Sequence, residues 1–279
     1  MKTIQGDTQN GIAELLVPLL LKVGVRDKDD NSPLSVDDKF AKDAVDLLQD
    51  WDYNQPTDSA AAAYFNVVWA TILKLTFADE LPDGFKPDGG DRWFEVVRTL
   101  LPDREKKDRW WDDRTTTDVV ESRDEVLRRS LISARLELTT KLGKDPKRWE
   151  WGRLHRVELK QTPLGLPSVF APVRKLFNRG PYLAPGGSSM VNAFSWDASA
   201  QTDTFGVTAA PSMRMIVDLS DLDKSRWVNQ TGISGHPGDS HYDDQLGTWL
   251  KGDDYAWPFS VEAVREAKSE EQTFTPGPE

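Results

Sequence analysis

Apolar positions in the first half of the chain recur at helical spacing. Ile12, Leu15, Leu16, Leu19 and Leu20 form one stripe of a segment predicted to run from a cap at Asp7 to Val23. Pro18 lies inside that stripe and predicts a kink or a helix start near Val17. After a polar loop over residues 26–33, Ser35 is predicted to cap a second helix whose buried face carries Phe40, Ala44, Leu47, Leu48 and Trp51. Asp58 and Ser59 open a third, running through alanines to about Ala78 with Tyr64, Val68, Ile72 and Leu75 on its apolar side. Residues 82–90 are turn-rich, and a short helix follows at 93–101. The longest helical pattern covers about 118–142 and stops at Gly143, because glycine readily takes the backbone conformation that ends a helix.

From Trp149 the period shortens. Residues 149–159 turn toward a two-residue alternation, and Gly and Pro punctuate the stretch from 163 to 187. Strands are predicted at 190–196, 204–208 and 212–219, the last with Met213, Met215, Val217 and Leu219 in alternation. A Gly-rich loop then enters a helix ending near Leu250, and a final helix covers 260–268 before a frayed tail. The expected fold class is α+β, with a helical first half and a strand-rich second half. Residues 1–146 form the mainly helical segment and 147–279 the strand-rich one with C-terminal helices, folded together as one unit.

Composition narrows the options. With 38% hydrophobic residues, 11 Trp and 11 Phe, the 279-residue chain can bury a sizeable core. Its formal charge of −11 is spread along the chain, which argues against nucleic acid as a partner, since phosphates need basic neutralisation. The absence of cysteine excludes a disulfide framework, a thiolate metal site and a cysteine nucleophile. Residues 1–7 lack the basic and apolar regions of a signal peptide. The apolar run at 15–23 is too short to span a membrane.

Candidate chemistry concentrates in residues 231–246, which hold Ser234, Asp239 and two of the three histidines, His236 and His241. Ser234, His236 and Asp239 lie too close in sequence for a working triad, in which the imidazole must sit between hydroxyl and carboxylate. The Gly232-to-Gly235 run also lacks Gly-x-Ser-x-Gly spacing. A tight loop followed by a helix capped by Ser240 and Asp243 is the simpler reading. His155, His236 and His241 with Asp239 or Asp243 could offer metal ligands, but the two loop histidines do not have the i, i+4 spacing that shares a helix face. Residues 27–31 hint at a calcium loop, yet Ser32 stands where glycine belongs and Asp38 where glutamate does. The Gly186-Gly187-Ser188-Ser189 run has no following lysine and leads toward a strand, so it does not predict a phosphate cradle. Trp110 and Trp111 read as an aromatic cover over the helical core. From the residues alone, no complete catalytic constellation emerges.

In order along the chain, these stretches resemble the penicillin acylase (penicillin amidase) family of N-terminal-nucleophile hydrolases. The resemblance rests on Ile4-Gln5-Gly6-Asp7-Thr8 with Leu16-Val17-Pro18, on residues 60–64, and on Trp110-Trp111-Asp112-Asp113. It continues through Leu142-Gly143, Trp149-Glu150-Trp151-Gly152 with His155, and Gly186-Gly187-Ser188. Its most specific parts are residues 212–218, including Arg214, and the signature Gly232, Ser234, Gly235, His236, His241, Tyr242, Asp244 and Gln245, with Trp249 beyond it.

The resemblance implies part of a four-layer αββα fold and an amidohydrolase matured by self-cleavage into α and β chains. The new N-terminal Ser, Thr or Cys of the β chain attacks the amide and uses its own amino group as base. The chain is similar to the C-terminal part of that β subunit. The nucleophile, the oxyanion donors and the calcium ligands of the intact enzyme are therefore expected upstream, with no catalytic, cofactor or metal residue in this chain. Gly187-Ser188 is not the self-cleavage junction on this reading. The implied partners are the rest of the β subunit, the α subunit and a small-molecule amide. The implied location is periplasmic or extracellular, and a structural role is expected for the signature. Alone, the chain is expected to be inactive, with exposed sheet edges that favour self-association. A stand-alone binding or scaffold protein, or a hydrolase using Ser234 or Ser188, are the alternatives.

Overall fold

The computed structural model describes residues 1–24, 36–102 and 109–277. The helices are α1 (Lys2–Gln5), α2 (Gly11–Gly24), α3 (Val36–Val45), α4 (Ala60–Phe77) and α5 (Asp91–Leu100), followed by α6 (Arg123–Leu142) and α7 (Trp151–Leu154). Three more, α8 (Ala171–Phe177), α9 (Leu246–Leu250) and α10 (Val261–Ala267), lie among the strands. The strands are β1 (Arg156–Leu159), β2 (Arg179–Leu183), β3 (Met213–Ile216), β4 (Arg226–Asn229) and β5 (Tyr255–Ala256). Helices come first and strands later, so the α+β class holds. Two compact units share the chain, one of Asp7–Ala210 and one of Met1–Gly6 with Pro211–Glu279. The change from helix to strand near residue 146 falls inside the first of these.

The larger unit is built around α4. Ser59 caps it by accepting a bond from the Ala62 N–H at 3.0 Å, and Ala62, Ala63, Tyr64, Phe65, Val68 and Trp69 are all buried. By length and composition α4 could cross a membrane, but 72% of it is buried inside the protein, as in a core helix. The alanines let other helices approach, and the Tyr64 hydroxyl donates to the Leu131 carbonyl of α6 at 2.9 Å. Complete burial raises the Tyr64 pKa, so the phenol stays neutral. Arg135 of α6 ties in α3 through Asp43 at 3.1 Å and lies over the Phe40 and Trp149 rings.

Several boundaries differ from the expected ones. Asn10, not Asp7, caps α2, its side chain accepting from Ile12 N and Ala13 N at 3.2 and 3.3 Å. Pro18 sits within the continuous helix, and Leu15 on the predicted stripe is exposed. The cap expected at Ser35 and the acidic loop at 27–31 lie outside the described residues. α6 begins at Arg123, capped by Ser122, so residues 118–122 are not helical. Gly143 ends it at φ 107°, as expected for glycine. The strands predicted at 190–196 and 204–208 are absent; a lone bridge pairs Ser195 with Ala209. These stretches are instead coil pinned by the buried side chains of Phe194, Trp196 and Phe205.

Those aromatics form the second half of the unit's core. Trp151 is fully buried and donates its indole N–H to the Gly186 carbonyl at 2.9 Å. Gly152 is required beside it, because an added Cβ would meet Leu183 and Thr57 at 2.9 and 3.0 Å. β1 and β2 pair antiparallel, Arg156 opposite Leu183 and Val157 opposite Tyr182. Ser188 holds the glycine loop to Trp196 by donating to its carbonyl and accepting from its N–H, both at 3.1 Å. Trp111 is buried, and Trp110 packs on Phe77 with ring centroids 5.6 Å apart.

Candidate functional site

The smaller unit carries the signature loop. Its antiparallel sheet runs β3-β4-β5, with Arg214 opposite Val228, Met215 opposite Trp227, and Trp227 opposite Tyr255. The alternation predicted over 212–219 is present in β3, but its apolar side faces out. Met213, Met215, Val217 and Leu219 are exposed, while Arg214 and Val228 face inward. The inward cation is held by α9: Arg214 Nη1 donates to the Trp249 carbonyl at 2.7 Å, and the guanidinium lies 5.5 Å from that indole's centroid. Burial pulls the Arg214 pKa down from its ordinary value. Trp249, fully buried, donates its own N–H to the Pro211 carbonyl at 3.0 Å.

Residues 230–245 close on themselves between β4 and α9. Gln245 joins the loop's two ends. Its N–H donates to the Thr231 carbonyl at 3.1 Å, and its side-chain oxygen accepts from Asn229 N at 2.9 Å. Ser234 N donates to the His241 carbonyl at 3.0 Å. At Gly232 the backbone passes so near that carbonyl that any Cβ would overlap it, so only glycine fits. Gly235 is exposed with open space around it, and Tyr242 is half-buried. The capping box expected at Ser240 and Asp243 does not form: α9 starts later, at Leu246, after an N-terminal Gln245 that makes no side-chain cap. The turns closing the loop, such as Tyr242 N to Asp239 O at 3.2 Å, take up the residues a longer helix would have used.

The chemistry-bearing side chains face their own loop. The Ser234 hydroxyl accepts from His236 N at 3.2 Å, and His236 Nδ1 accepts from Gly238 N at 3.2 Å. Asp239 accepts from His241 N at 2.8 Å, and hydrogen bonds from His241 and Ser234 lower its pKa. His241 Nδ1 lies 2.8 Å from Asp244 Oδ2, both exposed, and this bond raises the His241 pKa. His241 and Asp244 thus make a base-and-carboxylate pair. No hydroxyl is seated on that imidazole among the described residues, so a relay from Ser234 through a histidine to an aspartate is not assembled.

His155 belongs to the aromatic core of the larger unit. It stacks on Trp151 at 4.6 Å, and its Nδ1–H donates to the Phe205 carbonyl at 2.7 Å. Desolvation outweighs the opposing backbone carbonyls and pushes its pKa down to about 4. The imidazole is a buried neutral group. Among the described residues, no three or more His, Asp or Glu side chains are grouped as metal ligands. Sequence reasoning singled out Arg214 as a structural residue of the signature without naming its partner. The signal for its role was a charged residue inside an otherwise apolar alternation, with an aromatic residue at the next helix.

Comparison with known proteins gives first the fold and then the family. A penicillin G acylase from Alcaligenes faecalis superposes with a TM-score of 0.54 at 13% identity, over 98% of this chain and 48% of that one, so the chain has the fold of part of that protein. The family model for penicillin amidase matches residues 1–266, and the chain belongs to that family. An acyl-homoserine lactone acylase of Pseudomonas aeruginosa is 30% identical over 255 residues, 85% of this chain and 29% of that protein. Its counterpart from Pseudomonas fluorescens is 31% identical over 246 residues, 85% of this chain and 28% of that protein. A penicillin acylase 2 proenzyme from a Pseudomonas strain is 25% identical over 221 residues, 75% of this chain and 25% of that protein. The chain therefore spans under a third of the length of these curated relatives.

Proposed function

We propose that this chain works as part of an acylase that hydrolyses the amide of an N-acylated small molecule, N-acyl homoserine lactones being the favoured substrates and β-lactam side chains the second choice. The reading is carried by the acyl-homoserine lactone acylases that match 85% of the chain at about 30% identity. In the reaction water is consumed, the acyl C–N bond breaks, and a carboxylic acid and an amine leave. The nucleophile, its base and the oxyanion donors come from outside residues 1–279 on this reading. The described residues supply a helical framework and a small sheet whose signature loop is internally bonded. The remainder of the β subunit and an α subunit are the proposed partners, calcium is held by residues elsewhere, and the enzyme works in the periplasm or outside the cell.

The test isolates the protein from its native cells with an antibody raised against residues 1–279 and assays it with N-octanoyl homoserine lactone and a phenylacetyl amide. Release of acid and amine is expected from the native preparation and none from the purified 279-residue chain. Turnover by the 279-residue chain alone contradicts the division of labour. A native preparation inert on every acyl amide contradicts the amidase reading itself.

A further inference from the structure

In a chain of formal charge −11, the turn between α6 and α7 is unexpectedly basic. Lys144, Lys147, Arg148 and Arg153 line one open concavity of about 620 Å³, together with Asp145 and Glu150. Asp145 is already engaged in the turn, accepting from Lys147 N at 3.1 Å. The four cationic side chains make no ion pair or side-chain hydrogen bond with any described residue. Several cations elsewhere find carboxylates: Arg128 meets Asp38, Lys141 meets Glu137 and Arg226 meets Asp254, each at 2.7 Å. Against the two carboxylates of Asp145 and Glu150, the four cations around this hollow leave an excess of positive charge that an anion would balance.

The backbone beneath them is fixed. Pro146 and Trp149 are buried, and the Trp149 indole donates to the Gly143 carbonyl at 2.8 Å. The Lys144 carbonyl accepts from Arg135 Nη2 at 2.9 Å, and Arg135 is itself anchored to Asp43 at 3.1 Å. Arg148 N and Trp149 N close the turn onto Asp145 O and Pro146 O, both at 3.1 Å. Only the long basic side chains are left to adapt.

We propose that this concavity binds a multivalent phosphate. Such a group brings two or more charges and several acceptor oxygens within a few ångströms, suited to guanidinium forks and ammonium groups that line one hollow from the turn and from α7. The volume suits a compact ligand, for small-molecule sites run from roughly 300 to 1,000 Å³. An extended acidic peptide would spread its carboxylates beyond the four cations. The phosphate is either soluble or carried on a lipid headgroup, and the two sources share this chemistry.

Calorimetric titration of the full chain with tripolyphosphate tests the site. Saturable binding of one equivalent is expected, weakening with added salt as screening shortens the reach of exposed charges. Lys147→Gln with Arg148→Gln should weaken it by about tenfold or more, the loss expected for charge-assisted hydrogen bonds. Arg153→Gln, which removes a cation from the other side of the turn, should weaken it independently, and Lys175→Gln on α8 should change nothing. All these side chains are exposed, so the variants should melt with the wild type. Co-sedimentation with phosphatidic acid vesicles, whose headgroup is a phosphomonoester, but not with phosphatidylcholine vesicles, reversed by tripolyphosphate, assigns a lipid headgroup; its absence beside tripolyphosphate binding assigns a soluble phosphate. No saturable binding, binding unmoved by either set of changes at the turn, or equal affinity for pentaglutamate overturns the proposal.

Discussion

Trp249→Ala is expected to unfold the smaller unit while the larger one stays folded. Val228, Leu246 and Trp249 are the buried hydrophobic side chains of that unit among the described residues, so this substitution removes the largest of the three. Deleting a buried indole costs about 3–5 kcal/mol in lost transfer energy and cavity formation. Here the loss also strips the Pro211 carbonyl of its donor and removes the ring beneath Arg214. Hydrogen exchange reads the two units separately: amides of β3 and β4 should lose protection while those of α4 and α6 keep it. Unchanged protection in β3 and β4 would show that the unit is held by something other than this small core. Trp249→Phe keeps a ring for Arg214 but not the bond to Pro211, and should fall between the two.

Acid should destabilise the larger unit through His155. Unfolded, this imidazole takes up its proton near 6.5; folded, only near 4. Between those values the unfolded chain binds the extra proton, so stability is full above pH 6.5 and falls as pH drops toward 4, where the loss levels off. The gap corresponds to roughly 3 kcal/mol. His155→Gln offers the Phe205 carbonyl an amide donor and removes the titration. Urea unfolding of both proteins should show wild type losing about 2–3 kcal/mol more than the variant between neutral pH and pH near 4.5. Parallel loss in both would mean that the imidazole is not held neutral by burial.

The helices of the larger unit were legible from periodicity, their starts less so. Ser59 accepts an N–H at the start of a helix whose apolar residues recur correctly, as Ser260 does in the smaller unit, whereas Ser122 caps a helix whose pattern pointed to a start near 118. The coil at 190–208 was not legible as coil. Its Phe194, Trp196 and Phe205 are core residues delivered by irregular backbone, and a short run rich in apolar and aromatic residues does not by itself distinguish that from a strand. In β3 the period was read correctly, but the burial side was decided by Arg214 meeting Trp249 and by no feature of β3 itself. The signature loop could be recognised from its residues, while its closure depends on long-range bonds such as Gln245 to Asn229. Ser240 and Asp243 resembled a capping box because the local pattern is right; the loop's own turns displaced the helix start to Leu246.

Those bonds agree with the expectation that Ser234, His236, Asp239 and His241 do not form a triad. Their side chains are engaged with His236, Gly238, His241 and Asp244 within one loop, and Gly232 is the position there that cannot accept a side chain. The loop connects β4 to α9, the helix that supplies Trp249, and on the proposed reading its part is structural. The most direct measurement is kcat/KM for N-octanoyl homoserine lactone with the native enzyme and its Ser234→Ala variant. A structural loop predicts values within about threefold of each other, since removing one loop hydroxyl touches no transition-state contact. A fall of about 10⁴-fold or more, the scale seen when a serine nucleophile is removed, would place the chemistry in this loop and contradict the account.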